Sequence, residues 1–153
     1  MKYLAISKTP YRLAYASFEN KVLTRCGSII LDEPNENKRL VVWYDLVEKL
    51  IEENKPEFLL THLLNRKKVM KKDIEKIIEV RTILKLIAEK NNIFYAEFKT
   101  SGWELRITDL KPTCKRKLNF VNKTFDLNII DIEIANAIIL AEGVALKRLQ
   151  IGE

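Results

Sequence analysis

Lys2-Tyr3-Leu4-Ala5-Ile6-Ser7 is a short apolar run that breaks at Lys8, Thr9 and Pro10 into a polar loop. A run of that length, bounded by turn residues, reads as a buried strand. Two more strand-like runs follow, Arg12 to Phe18 and Val22 to Leu31, joined by the tight connection Glu19-Asn20-Lys21. The chain therefore opens as a three-strand meander, and beyond it helix and strand alternate. In an α/β chain of this order the first strand becomes interior when later units add to its free side, and ligands gather at the C-terminal ends of such strands. Ser7 marks the sheet edge where a site is expected.

Working outward, Asp32 to Asn37 is a polar loop that leads into a helix from about Lys38 to Glu53, with Leu40, Tyr44, Val47 and Ile51 at helical spacing and Trp43 and Leu50 alongside. Asn54, Lys55 and Pro56 stop it. Glu57 to Leu64 reads as a buried strand parallel to the first, with His62 near its end. Asn65 to Lys72 is a basic loop, and Asp73 to Asn91 is a long helix sending Ile74, Ile77, Ile78, Leu84, Ile87 and Ala88 toward the core. Ile93 to Phe98 makes a fifth strand, while Lys99 to Asp109 takes no firm assignment. Pro112 and Thr113 open a helix with Cys114, Leu118, Val121 and Phe125 on one face. Asn128 reads as the N-cap of a last helix to about Leu149, with Ile130, Ile134, Ala137, Ile138 and Ala141 on its buried side. With no repeat and no linker, residues 1–153 read as one domain.

The bulk numbers fit that reading. A chain of 153 residues that is 47% hydrophobic can bury a real core. A net charge of +6 and a pI near 9.3 favour an anionic partner such as nucleic acid. Cys26 and Cys114 are far apart, which points to a reduced chain in the cytoplasm, and His62 as the only histidine argues against a Cys/His metal cluster. The opening run is too short for a signal h-region and no run has the length of a membrane span, so no membrane partner is expected.

Basic residues gather in two acid-free groups. Arg66, Lys67, Lys68, Lys71 and Lys72 fall within seven residues, and Lys111, Lys115, Arg116, Lys117 and Lys123 form the second group. Each lies after a strand or at a helix start, so both can rim the same sheet edge as Ser7 and His62 and contact phosphates. Lys76, Lys85 and Lys90 alternate with Glu75, Glu79 and Glu89 and read as a solvated face. Tyr11, Tyr95 and Trp103 read as core aromatics rather than base-stacking groups. Ser7 has a structural reading as a strand-end hydroxyl, His62 as a satisfied histidine under a helix, and Glu133 as an acid favoured by the helix dipole.

Tyr-Leu-Ala-Ile-Ser (3–7) followed by Arg-Leu-Ala-Tyr-Ala-Ser (12–17), then Lys-Pro-Glu-Phe-Leu-Leu-Thr-His (55–62) and Glu-Ile-Ala-Asn-Ala-Ile (133–138), resemble the opening hairpin, fourth strand and alanine-rich last helix of the RuvC-type Holliday junction resolvases. The element order is likewise that of the ribonuclease H-like fold. The resemblance implies an α/β, mixed five-stranded sheet, a three-strand meander followed by parallel strands, flanked by helices. It also implies a homodimer acting on branched DNA with two divalent metals held by four carboxylates. Carried over, those carboxylate positions are Ser7, His62, Glu133 and Asn136, and only Glu133 keeps an acid. Asp131 is the nearest other acid, but it lies two residues from Glu133 and on a different helix face.

Two-metal hydrolysis needs a cage of anionic oxygen ligands. The substitutions therefore imply a nucleic-acid-binding domain, for branched or duplex DNA, whose two-metal nuclease site is degenerate and expected to be inactive. No cofactor is expected, with Mg or Mn only if the chain is active. An active endonuclease with a non-standard ligand set, in which Glu133 and Asp131 hold one metal and His62 is general base, is one alternative. A protein-interaction domain that kept the fold is another.

Overall fold

The computed structural model describes residues 1–62, 70–98 and 113–146. The meander forms as β1 (Lys2–Lys8), β2 (Arg12–Glu19) and β3 (Val22–Ile30), followed by α1 (Glu36–Asn54), β4 (Phe58–His62), α2 (Lys71–Lys90), β5 (Phe94–Phe98), α3 (Cys114–Phe125) and α4 (Ile132–Ala145). The five strands make one mixed sheet in the order β3-β2-β1-β4-β5. The meander pairs are antiparallel, while β1 with β4 and β4 with β5 are parallel. β1 is thus the central strand, because the helical crossover through α1 places β4 on its one free side.

The strand period of two sorts β1 between two cores. Tyr3 and Ala5 face a cluster built with Ala16, Phe18, Leu60, Phe98, Val121 and the apolar stretch of α4 from Ala135. Leu4 and Ile6 face the opposite cluster, with Leu13, Leu59, Trp43 and Val47 of α1 and Val80, Leu84 and Ile87 of α2. Two helical layers therefore sandwich the sheet. The strand alternates without a polar face, as a strand buried on both sides must. From Ala135 to Ala145 every residue except Asn136 is buried, so α4 is apolar nearly all round, as a helix caught between the sheet and α3 must be.

Local signals explain the helix ends. Asn35 caps α1, its side chain accepting from Lys38 N–H at 3.0 Å, and Lys55 ends that helix in the left-handed region at φ 44°. Thr113 caps α3, accepting from Arg116 N–H at 3.2 Å. The last helix departs from expectation. Asp131, not Asn128, is its N-cap, and its described residues run to Ala145. The helical period therefore does not reach back to Ile130, which is exposed rather than buried. Cys114, in the first turn of α3, and Ile78, on the outer side of α2, are also exposed. Residues 99–109, with Trp103 and Asp109, lie outside the described residues, as does the stretch beyond His62 to Leu64. Among the described residues no helix is long and apolar enough to cross a membrane.

Ile138 is fully buried at the centre of α4. Ile138→Ala should cost about 2–5 kcal/mol in urea-induced unfolding, since this layer cannot collapse onto the space left.

Candidate functional site

β1 ends with Ser7 and Lys8, its parallel neighbour β4 ends at His62, and α4 starts over them. Ser7 is buried, and its hydroxyl donates to Glu133 Oε2. The N-cap carboxylate of Asp131 serves two partners, with Oδ1 accepting from Glu133 N–H at 2.9 Å and Oδ2 pairing with Arg12 at 3.1 Å. Asn136 follows Glu133 by three residues and shares its helix face. Its Oδ1 is buried and, among the described residues, accepts no hydrogen bond. Three of the four expected positions, Ser7, Glu133 and Asn136, thus come together where β1 meets α4.

His62 ends β4, and by the pleat its side chain shares the face of Leu60, the face toward α4. Its imidazole pKa is pushed down to about 3, first by burial and then by the charges of Lys8 and Lys117. The ring is therefore neutral at pH 7. Two lysines lie near enough to act on it, and both are buried, Lys117 in α3 and Lys8 at the end of β1. Lys117 is thus an inward-facing member of its basic group, while Lys115 and Arg116 are exposed on the first turn of α3. Lys71 and Lys72 are exposed on the first turn of α2. Arg66, Lys67, Lys68 and Lys111 lie outside the described residues.

Lys8 opens a second polar layer on the α2 side of the sheet. Its Nζ donates to Thr61 Oγ1 at 3.0 Å and to the His62 carbonyl at 3.4 Å, and Thr61 in turn donates to the Ile6 carbonyl at 2.8 Å. Burial lowers the Lys8 pKa to about 8, against the pull of Glu97. Glu97 accepts from Arg81 Nε at 2.6 Å and Nη2 at 2.9 Å, and from the Tyr95 hydroxyl at 2.6 Å. Burial pushes the Glu97 pKa up, but the Arg81 and Tyr95 hydrogen bonds outweigh it and the net shift is downward. Glu97 therefore does not replace an acid beside Ser7. It is one residue out of phase with Ala96 and Phe98, which face α4, and is engaged on the opposite side.

Sequence reasoning missed Lys8, Arg12 and Thr61. Lys8 carried a faint signal, a cation directly after a buried strand-end residue. The Arg12–Asp131 pair spans most of the chain and left none. Tyr11, expected in the core, is exposed on the β1–β2 loop. Lys76 is not simply solvated, because its ammonium stands 4.7 Å from the Tyr11 ring centroid. Among the described residues no group of three or more His, Cys, Asp or Glu is placed to share a metal ion.

No family model and no curated protein matches the sequence. Solved structures do match the fold. Thermus thermophilus RuvC in complex with Holliday junction substrate superposes with a TM-score of 0.81 at 11% identity, over 97% of this chain and 95% of that one. The yeast mitochondrial Holliday junction resolvase gives 0.70 at 10% identity, over 95% of this chain and 78% of that one. The Fowlpox virus resolvase, in complex with substrate Holliday junction DNA, gives 0.62 at 14% identity, over 98% of this chain and 100% of that one. Central β1, the parallel pairing of β4 and β5, and α4 crossing the ends of β1 and β4 together identify the fold of this chain as the ribonuclease H-like fold of the RuvC-type Holliday junction resolvases.

Proposed function

We propose that this chain binds the phosphate backbone of nucleic acid, branched or duplex DNA, at the C-terminal edge of its sheet, and that it does so without two-metal cleavage. One observation supports the reading above the others. The edge that would have to hold two dications instead carries a neutral His62 within the field of two buried lysines, Lys117 of α3 and Lys8 on the other face of the sheet. Cations so placed raise the potential where a dication would have to sit and lower the energy of a phosphate oxygen there.

The donor set points the same way. Glu133 is occupied by the Ser7 hydroxyl, and Asp131 by Arg12 and by its own helix end. Asn136 offers a neutral amide oxygen. A pair of divalent ions needs several anionic oxygens, and these residues do not fit one. His62 suits the alternative of an active nuclease poorly as well, since a ring whose conjugate acid has a pKa near 3 is a weak general base at neutral pH.

Outside the buried centre, the exposed Lys71, Lys72, Lys115 and Arg116 supply phosphate contacts. A homodimer fits the outer face of the α1/α2 layer, where Val41, Ile78 and Leu86 are exposed around a groove lined also by Leu40, Tyr44 and Ile83. The same helices carry both signs of charge at its margin, Glu79 and Lys85 among them, as a self-complementary two-fold contact requires.

Three measurements test this reading. The logarithmic salt dependence of duplex DNA binding should flatten by about 0.9 for each phosphate the protein no longer neutralises, so by nearly 2 in the double variant Lys115→Ala, Arg116→Ala; an unchanged slope removes these residues from the interface. As pH falls, the unfolded chain protonates His62 near 6.5 while the folded chain does not until about 3, so stability drops across that window. Urea midpoints for His62→Gln should fall less steeply with acid than those of the unaltered protein. Finally, sedimentation should find a dimer that Leu86→Glu converts to monomer, and a monomeric unaltered protein contradicts the α1/α2 assignment.

A further inference from the structure

β3 is an edge of the sheet, with β2 as its one strand neighbour among the described residues. Leu31 N–H donates to the Tyr11 carbonyl at 2.6 Å, which makes these two residues a hydrogen-bonded pair continuing the β2–β3 register. Antiparallel pairing alternates, so Ile29 and Gly27 bond inward to β2, while Ile30, Ser28 and Cys26 turn their N–H and C=O groups outward. The regular outward row ends at Thr24, the extra residue at which the register to β2 shifts.

Proteins blunt such edges with lysine, proline or an inward charge. From Cys26 to Ile30 the strand has none of these. The nearest charge, Arg25, is turned back onto Glu53 of α1 at 3.1 Å, and the Ile30 side chain stands 75% exposed beside the open backbone. At the centre of the row Gly27 lies under Tyr15 of β2. A Cβ at Gly27 would stand 3.0 Å from the Tyr15 hydroxyl and 3.2 Å from its ring carbons, so the ring reaches across β3 toward the free edge. A strand glycine of this kind marks a place where another group comes close. Here the approaching ring leaves an aromatic surface over the edge, with no side chain of β3 in front of it.

We propose that the outer edge of β3 binds an extended segment of a partner protein as an added strand, with a large apolar side chain opposite Gly27 lying on the Tyr15 ring. An N–H and a C=O offered at every second residue match another extended backbone, and alternate side chains then give specificity. A residue opposite Gly27 falls on the face of Tyr15 and Ile29, and one opposite Ile30 falls on the other face, against apolar surface. Exposed Lys21 at one end of the strand and exposed Asp32 at the other add charge complementarity to a segment with an acid at the first end and a base at the second. A second copy of this chain suits the edge less, because a contact here added to the two-fold contact on the α1/α2 face would extend the assembly beyond a dimer.

Random peptides displayed on phage are selected on the protein, and the peptide recovered most often is synthesised as the probe. Amide hydrogen exchange followed by NMR should show the N–H groups of Cys26, Ser28 and Ile30 slowed by this peptide, and those of Gly27 and Ile29, already bonded to β2, unchanged. Ser28→Lys, at an exposed side chain, should weaken peptide binding by about tenfold or more. Ser28→Pro, which removes one outward N–H and leaves the β2 ladder in place, should do the same. A selection that recovers no peptide, a peptide that binds the Ser28→Lys protein as tightly as the unaltered one, or slowed exchange confined to other amides overturns the proposal. Slowing of the same three amides by higher protein concentration without peptide assigns the edge to a second copy and overturns the partner segment. Ser28 is not among the residues given to nucleic acid, so DNA binding and its salt dependence should stay unchanged in Ser28→Lys, and the two readings fail separately.

Discussion

Asp131 is the residue on which the arrangement of the site depends, because its carboxylate fastens the start of α4 to the end of the sheet. One oxygen caps the helix at Glu133 N–H and the other pairs with Arg12. A helix turns by about 100° per residue, so a start displaced by a single position would carry Glu133 away from Ser7. With the start held, Glu133 meets the Ser7 hydroxyl, Asn136 shares its face, and the apolar stretch from Ala135 lies over β1 and β2. The cap thus sets the register of the whole layer.

At the strand ends burial governs the electrostatics. Burying an amine on one face of the sheet and an imidazole on the other disfavours their charged forms, and both pKa values fall, to about 8 for Lys8 and about 3 for His62. Lys8 is partly compensated by Thr61 Oγ1, by the His62 carbonyl and by the charge of Glu97, which Arg81 orients from the α2 side. Such perturbed groups gather where a protein does something with charge. Here the perturbation pushes both groups toward their neutral forms, His62 fully so at neutral pH.

The two helical layers divide the labour. The α3/α4 layer closes over the strand ends and places Glu133, Asn136 and Lys117. The α1/α2 layer builds the larger aliphatic core around Trp43 and leaves Val41, Ile78 and Leu86 outside it. Arg39 of α1, almost fully buried, reaches Glu79 of α2 at 3.5 Å and ties that layer together. A sheet buried on both faces leaves its C-terminal edge as the place where polar groups can converge, which is why buried Ser7, Lys8 and Thr61 all lie there.

Periodicity alone determined the five strands, their order along the chain and the four helices, because runs such as Tyr3 to Ile6 and Ile83 to Ala88 announce a pleat or a helical face through the spacing of their apolar residues. It also marked Ser7 as a strand end, whereas His62, Glu133 and Asn136 were singled out by the resemblance to the resolvases. It misjudged Ile130 and Tyr11, since exposure depends on where a helix starts and which loop packs on which helix. Only the tertiary structure brought Arg12 to Asp131 and Lys8 and Lys117 to His62, because contacts between residues tens of positions apart follow from how the layers stack, and no local pattern of the chain encodes the distance between two charges.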